Sequence, residues 1–123
     1  MLNALPWDSV ELEVLNPLLS RQCIHTSTIT FAKVILKRGC VVPEHFHVAE
    51  QITYPVSGSL TFYLDGKEIT VHPGEVLTIP SNMPHKAVAF EDCVEFDIFS
   101  PPRQDWIDKS DAYLRNASSN EAK

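Results

Sequence analysis

The chain has 123 residues, 44% of them hydrophobic, with a net charge of −6 and a pI near 5.2. This length predicts a single domain, which can bury somewhat under about 70% of its unfolded surface in one core. The acidic balance argues against nucleic-acid binding, because the electrostatic footprint of that function is a basic stripe.

The first 26 residues are predicted to form an arm or strand that packs on the domain or on a partner. They carry several apolar side chains: Trp7, Leu12, Val14, Leu15, Leu18 and Leu19. Because an open sheet also leaves an edge to be covered, we expect a homodimer in which this arm is shielded. The chain start lacks the charged and apolar regions of a signal peptide, and no apolar run approaches the roughly 18 residues of a membrane span. We therefore expect a cytoplasmic protein with no membrane partner.

Residues 27–103 are predicted to form an all-β barrel or sandwich. Segments with β-branched or alternating patterns predict strands at 27–36, 51–56, 59–64, 67–72, 76–80, 85–90 and 94–99. The dipeptide Asp65-Gly66 predicts a type I′ hairpin turn. Pro55 cannot donate to a strand ladder, so we expect it at a bulge or on a non-bonding side of its strand.

After the barrel, residues 104–115 are predicted to form a short helix or turn that packs Trp106 and Tyr113. Residues 116–123 are predicted to be a flexible tail, as chain ends that are not tied down commonly are.

Two motifs contain the residues that most clearly indicate a functional site. They read Gly39-x5-His45-x-His47-x3-Gln51-x6-Gly58 and Gly74-x5-Pro80-x-Asn82-x2-His85. Because a strand alternates its faces, His45 and His47 are predicted to point the same way and Phe46 the other way. Imidazole suits Zn, Cu, Fe and Ni, and the Gln51 carbonyl oxygen adds a harder ligand. The motifs therefore predict a divalent-metal site at His45, His47, Gln51 and His85, with Zn, Ni, Mn and Fe as candidate ions.

The last predicted strand adds charged residues near this site. Glu95, Asp97 and Phe99 share one face by the period of two, and Arg103 follows after a Ser-Pro-Pro segment. If Asp97 faces inward, it is a carboxylate inside the barrel and near the metal. The alternative is that Asp97 faces solvent or forms a structural ion pair with Arg103.

The segment from Val94 to Arg103, with Gln104-Asp105-Trp106 behind it, resembles the terminal strand of small single-domain cupins of the KdgF type, which act in pectin degradation. The resemblance runs from about residue 31 to residue 115, and it includes VPEHFHVAEQ at residues 42–51. It implies a jelly-roll barrel, the double-stranded β-helix of cupins, followed by a short C-terminal helix or turn.

KdgF-type cupins convert 4,5-unsaturated monouronates, released by pectate or alginate lyases, into linear keto forms. The resemblance implies metal ligands at His45, His47, Gln51 and His85, an acid–base residue at Asp97, and substrate-binding residues at Arg103 and Phe99. The partner would then be a small anionic substrate similar to a sugar acid. Two other classes stay open: a metal-dependent dioxygenase, and a non-catalytic cupin that binds a small molecule.

Overall fold

The structure is a computed structural model that describes residues 2–115, so the predicted flexible tail at 116–123 lies outside the described residues. The described chain folds into ten strands and two short helices after a 3-10 turn at Trp7–Ser9. The strands are β1 (Glu13–Asn16), β2 (Leu19–His25), β3 (Thr30–Leu36), β4 (Val41–His45), β5 (Glu50–Ser57), β6 (Leu60–Leu64), β7 (Lys67–Val71), β8 (Leu77–Ile79), β9 (His85–Val88) and β10 (Cys93–Ser100). The helices are α1 (Gln104–Ile107) and α2 (Ala112–Arg115).

Two antiparallel sheets enclose the core. The larger has the order β1-β2-β3-β10-β5-β8, and the smaller has the order β4-β9-β6-β7. Buried apolar residues from both sheets pack between them, among them Leu36 and Ile79 from the larger sheet and Phe62 from the smaller. This arrangement confirms the prediction of an all-β jelly roll with short C-terminal helices.

The inner face of the larger sheet is set by strand alternation. In β10, Cys93, Glu95, Asp97 and Phe99 are buried, while the residues between them are partly or fully exposed. The neighbouring strand β5 turns Gln51 and Thr53 to the same side. Register then places Thr53 opposite Asp97, and Gln51 opposite Phe99. Polar side chains from two strands are thereby brought together inside the barrel.

β1 and β2 lie within the predicted N-terminal arm or strand, and β4 was not among the predicted strand segments, although His45 at its end had been placed on a strand. The sheet begins at Glu13 rather than near residue 27, because β1 and β2 extend it through the pairing of β2 with β3. The pattern of β2 was hidden because it buries two polar residues, Arg21 and Gln22. Both make side-chain hydrogen bonds, for example from Arg21 Nη1 to Asp111 Oδ2 at 2.6 Å, although Arg21 Nε has no partner within the described residues.

Two local predictions are confirmed. Asp65 and Gly66 have φ of 53° and 70°, the pair of positive angles that a type I′ turn between β6 and β7 requires. Pro55 lies beside a bulge, since Val94 and Glu95 face Ser57 and Pro55 and leave Val56 as the extra residue. The bulge accommodates a proline inside a central strand.

The N-terminal arm lies on the outer face of the chain's own larger sheet. The Trp7 ring centroid is 5.7 Å from that of Phe31 and 5.9 Å from that of Phe96. Gln22 Nε2 donates to the backbone oxygen of Trp7 at 2.8 Å. Among residues 2–115, no helix has the length and apolar character needed to cross a membrane.

Candidate metal centre and active site

Three histidines converge between the two sheets. His45 ends β4, His85 begins β9, and the two are paired in register. The ligating nitrogens of His45, His47 and His85 all lie within 4.8 Å of one another. The sequence prediction placed His45 and His47 on one strand, but β4 ends at His45 and His47 lies in the connection to β5. Asn82 N–H donates to the His47 carbonyl at 2.8 Å, which ties this connection to the second motif.

The backbone fixes the tautomer of each histidine. The three Nδ1 atoms each lie 2.8 Å from a carbonyl oxygen two residues away: His45 with Pro43, His47 with Ala49, and His85 with Met83. A carbonyl only accepts, so each Nδ1 carries the proton and each neutral ring keeps a lone pair on Nε2. This is the arrangement of metal-binding imidazoles, whose other ring nitrogen usually donates to a protein acceptor.

Burial keeps the rings neutral. It lowers the pKa of His45 to about 3, helped by the neighbouring His85 ring. It lowers the pKa of His47 to about 4, helped by the charge of Arg103. Burial also lowers the pKa of His85. At neutral pH the cluster therefore presents three unprotonated nitrogens.

These residues fit a divalent cation. His85 Nε2 is buried and has no hydrogen-bond partner within residues 2–115, and a buried polar atom left in that state is costly. Three neutral imidazole nitrogens are a suitable donor set for Zn, Fe, Ni or Cu. The cluster of His45, His47 and His85 could hold a metal ion.

Gln51, the fourth predicted ligand, adjoins the cluster. Its side chain is buried on the inner face of β5, and its Oε1 lies 3.2 Å from His47 Nε2. Its Nε2 donates to Thr53 Oγ1 at 2.8 Å. The structure thus brings all four predicted ligands to one place.

Asp97 faces the interior, and its neighbour Glu95 lies with it. Both carboxyl groups are buried on the same face of β10. Burial raises the pKa of Glu95 well above its usual value, and the adjacent Asp97 raises it further. Burial also raises the pKa of Asp97, while hydrogen bonds from Glu95 and Thr53 act in the opposite direction. Glu95 was given no role from the sequence, although the period of two had placed it on the same face of β10 as Asp97.

Arg103 and Phe99 complete the inner end of the site. Arg103 is buried, with its guanidinium 4.9 Å from the Phe99 ring centroid and 4.5 Å from that of Trp106. Its ion pair is with Asp105, through Nε at 3.0 Å and Nη2 at 2.8 Å, and not with Asp97. The Phe99 ring also meets His47 edge-on at 5.5 Å.

Two cavities meet at this point. An inner cavity of about 50 Å³ is lined by residues that include Asp97, Gln51 and His85. An outer cleft of about 520 Å³ opens beside Glu44 and Phe46. Three side chains border both: His45, Arg103 and Tyr113. The inner cavity has room only for water-sized groups, whereas the outer cleft falls in the range of about 300–1,000 Å³ that small-molecule sites occupy.

Tyr113 was predicted only to pack against the barrel, but it stands at the boundary of the two cavities. Its ring centroid is 4.7 Å from that of His45, and its hydroxyl accepts from Arg103 Nη2 at 2.7 Å. No local sequence signal could assign this position, because it depends on where the C-terminal segment crosses the mouth of the barrel.

Comparisons with known proteins agree with this geometry. The model of the cupin domain family Cupin_2 matches residues 32–98. The structure of KdgF from Halomonas sp. is similar at 32% identity and a TM-score of 0.75, covering 80% of this chain and 94% of that one. An RmlC-like cupin from Shewanella frigidimarina NCIMB 400 is similar at 26% identity and a TM-score of 0.76, with coverage of 80% and 90%.

The polyketide cyclase RemF from Streptomyces resistomycificus shares the fold at 21% identity and a TM-score of 0.72, with coverage of 82% and 80%. No curated protein sequence matches the chain.

Proposed function

Because this chain belongs to the cupin domain family, we propose that it is a metal-dependent cupin enzyme that converts 4,5-unsaturated monouronates into linear keto forms. The observation that carries the proposal is that Asp97 and Arg103 line the same inner cavity as His45 and His85. The 32% identity to KdgF from Halomonas sp. over 94% of that chain supports the choice of substrate class.

His45, His47, His85 and the Gln51 carbonyl oxygen would hold the metal. None of these ligands carries a negative charge, so the full charge of a divalent ion would remain available to polarise a substrate oxygen, as a Lewis acid does. The protein supplies the proton transfers and the orientation of the substrate.

Asp97 is the residue proposed to move the proton. Opening the ring requires the anomeric hydroxyl to lose its proton, while the bond between C1 and the ring oxygen breaks and C1 becomes an aldehyde. The ring oxygen is then the oxygen of an enolate at C5, and a proton added to C4 converts this enolate to a ketone. One proton is removed from the anomeric hydroxyl and one is added at C4, so a single carboxylate that accepts and then returns a proton is sufficient. Asp97 suits this role because its carboxyl group is buried and lines the inner cavity together with His45 and His85.

Arg103 is proposed to orient the uronate carboxylate. A guanidinium offers a planar pair of donors that matches a carboxylate. Arg103 now uses Nε and Nη2 for Asp105, so a substrate carboxylate would compete with Asp105 or engage the remaining Nη1. Phe99 would supply an apolar wall of the inner cavity beside Arg103. The substrate would approach through the outer cleft, which reaches both Arg103 and His45.

The test follows the loss of the conjugated double bond of unsaturated galacturonate or mannuronate by ultraviolet absorbance. The metal-loaded protein should accelerate this loss. Asp97→Asn should lower turnover by about 100-fold or more at unchanged metal content, since acid–base catalysis contributes roughly that much.

Arg103→Lys should raise KM, because the positive charge stays but the planar pair of guanidinium donors is lost. Glu68→Gln, an exposed carboxylate on β7, serves as the control.

Failure of the loaded parent protein to accelerate the loss would overturn the uronate proposal. Equal turnover in the parent and in Asp97→Asn would overturn only the role given to Asp97.

A further inference from the structure

A buried chain of hydrogen bonds joins the proposed proton carrier to the proposed metal ligands. Thr53 Oγ1 donates to Asp97 Oδ1 at 2.7 Å, and Gln51 Nε2 donates to Thr53 Oγ1 at 2.8 Å. Thr53 is fully buried, and its register partner across the strand pair is Asp97. The chain thus runs from β10 across β5 to the histidine cluster.

The hydroxyl of Thr53 links the two bonds of this chain. Thr53 Oγ1 donates to Asp97 Oδ1, so its single O–H is used there. The Thr53 oxygen is then left as an acceptor, and the group of Gln51 that faces it must be the amide NH₂. The carbonyl oxygen of Gln51 is consequently turned toward the histidines.

The resulting contact between Gln51 and His47 is unusual for two adjacent polar atoms. Gln51 Oε1 and His47 Nε2 are 3.2 Å apart, yet His47 carries its proton on Nδ1, which donates to Ala49 O. Two lone pairs therefore face each other without a proton between them. Such a pair is unfavourable alone and favourable when a cation binds to both atoms.

We propose that Thr53 is a positioning residue of the metal site, which holds the carbonyl oxygen of Gln51 toward the histidine cluster. This inference rests on the proposed metal dependence of the protein. A glutamine has two chemically different ends, and only one of them can bind a cation. Without Thr53 the amide can rotate and donate its NH₂ to His47 Nε2, which would occupy the lone pair that the metal needs.

The experiment compares the parent protein with Thr53→Val, which keeps the shape but removes the hydroxyl, and with Thr53→Ser, which keeps the hydroxyl. Affinity for Zn²⁺ and Ni²⁺ is measured by competition with a chromophoric chelator, and the Co²⁺ absorption spectrum reports the ligand set. Thr53→Val should bind metal roughly 10- to 100-fold more weakly, the usual loss when a residue that orients a ligand is removed. Thr53→Ser should restore both affinity and spectrum.

A second pair of variants separates positioning from general damage to the fold. A glutamate has two equivalent oxygens and needs no orientation, so Thr53→Val should cost far less affinity in a Gln51→Glu background than alone. If the same loss occurs in both backgrounds, or if Thr53→Val binds metal as tightly as the parent, the positioning role is wrong while the metal dependence stands. If the parent itself binds no metal, the proposed function and this inference both fail.

Discussion

At the scale of single residues, glycine is required at two positions of the motifs for different physical reasons. Gly58 has φ of 71°, and a Cβ built on it would lie 1.9 Å from the backbone oxygen of Asp92. Gly74 has φ of 88°, but a Cβ there would meet nothing within 4 Å. Both positions disfavour a side chain through their backbone angle, and only Gly58 also has a neighbouring backbone in the way.

We therefore expect Gly58→Ala to destabilise the fold much more than Gly74→Ala. The positive φ costs roughly 1–2 kcal/mol at either position. At Gly58 the backbone of Asp92, just before β10, must also move away from the added Cβ, because a backbone oxygen cannot rotate aside as a flexible side chain can. Urea unfolding followed by tryptophan fluorescence measures the difference. Equal midpoints for the two variants would show that the close approach at Gly58 is relieved without cost.

At the scale of elements, the C-terminal helices act as one segment fastened across the mouth of the barrel. The main attachment is the buried ion pair between Arg21 Nη1 and Asp111 Oδ2, 2.6 Å apart. The Trp106 ring lies between two guanidinium groups, 4.3 Å from that of Arg21 and 4.5 Å from that of Arg103. The segment that places Tyr113 beside His45 is thus held by β2, at the opposite end of the sequence.

Removing one member of the buried pair should loosen this segment. Asp111→Ala leaves Arg21 buried with only Glu13 as an acidic partner, and such losses cost about 3 kcal/mol or more. The matched control is Glu11→Ala, which breaks the exposed pair of Lys109 and Glu11 between the same two parts of the chain. Exposed pairs contribute under about 1 kcal/mol, so this variant should unfold nearly as the parent does. Similar unfolding midpoints for Asp111→Ala and Glu11→Ala would contradict the attachment described above.

At the scale of the whole molecule, the outer face of the larger sheet is apolar. Ile52, Tyr54 and Val56 of β5 are 40%, 42% and 44% exposed, and Ile98 of the adjacent β10 is 37% exposed. Trp7 covers the neighbouring part of this face over Phe31 and Phe96. A contiguous apolar face of this kind is typical of an interaction surface. It supports the prediction of a homodimer, with β5 in its interface.

The corresponding test is the mass of the protein in solution by light scattering at micromolar concentration. The parent should have the mass of a dimer, and Tyr54→Glu should shift it toward the monomer because a carboxylate would be buried in the interface. Phe90→Glu makes the same kind of change at a side chain that is 63% exposed in the turn before β10, and it should leave the mass unchanged. A monomeric parent would remove the basis for the homodimer.

The sequence by itself determined which of the candidate residues belong together. The two motifs contain the three histidines that cluster, and the period of two placed Glu95, Asp97 and Phe99 on one face of β10, without deciding whether that face is the inner one. These features depend on the geometry of a single strand or turn, so they can be read locally. The position of β4 could not be read in this way, because Pro43 interrupts the strand pattern, and β2 was hidden by the burial of Arg21.

Only the tertiary structure decided which of these side chains contact each other. The bond from Thr53 to Asp97 joins residues 44 apart in sequence, and the ion pair of Arg21 with Asp111 joins residues 90 apart. In the structure, Arg103 donates hydrogen bonds to Asp105 and Tyr113, and not to Asp97. The physical reason is that a strand pattern fixes the direction of a side chain, whereas its partner is set by the register between strands and by the path of the C-terminal segment across the barrel.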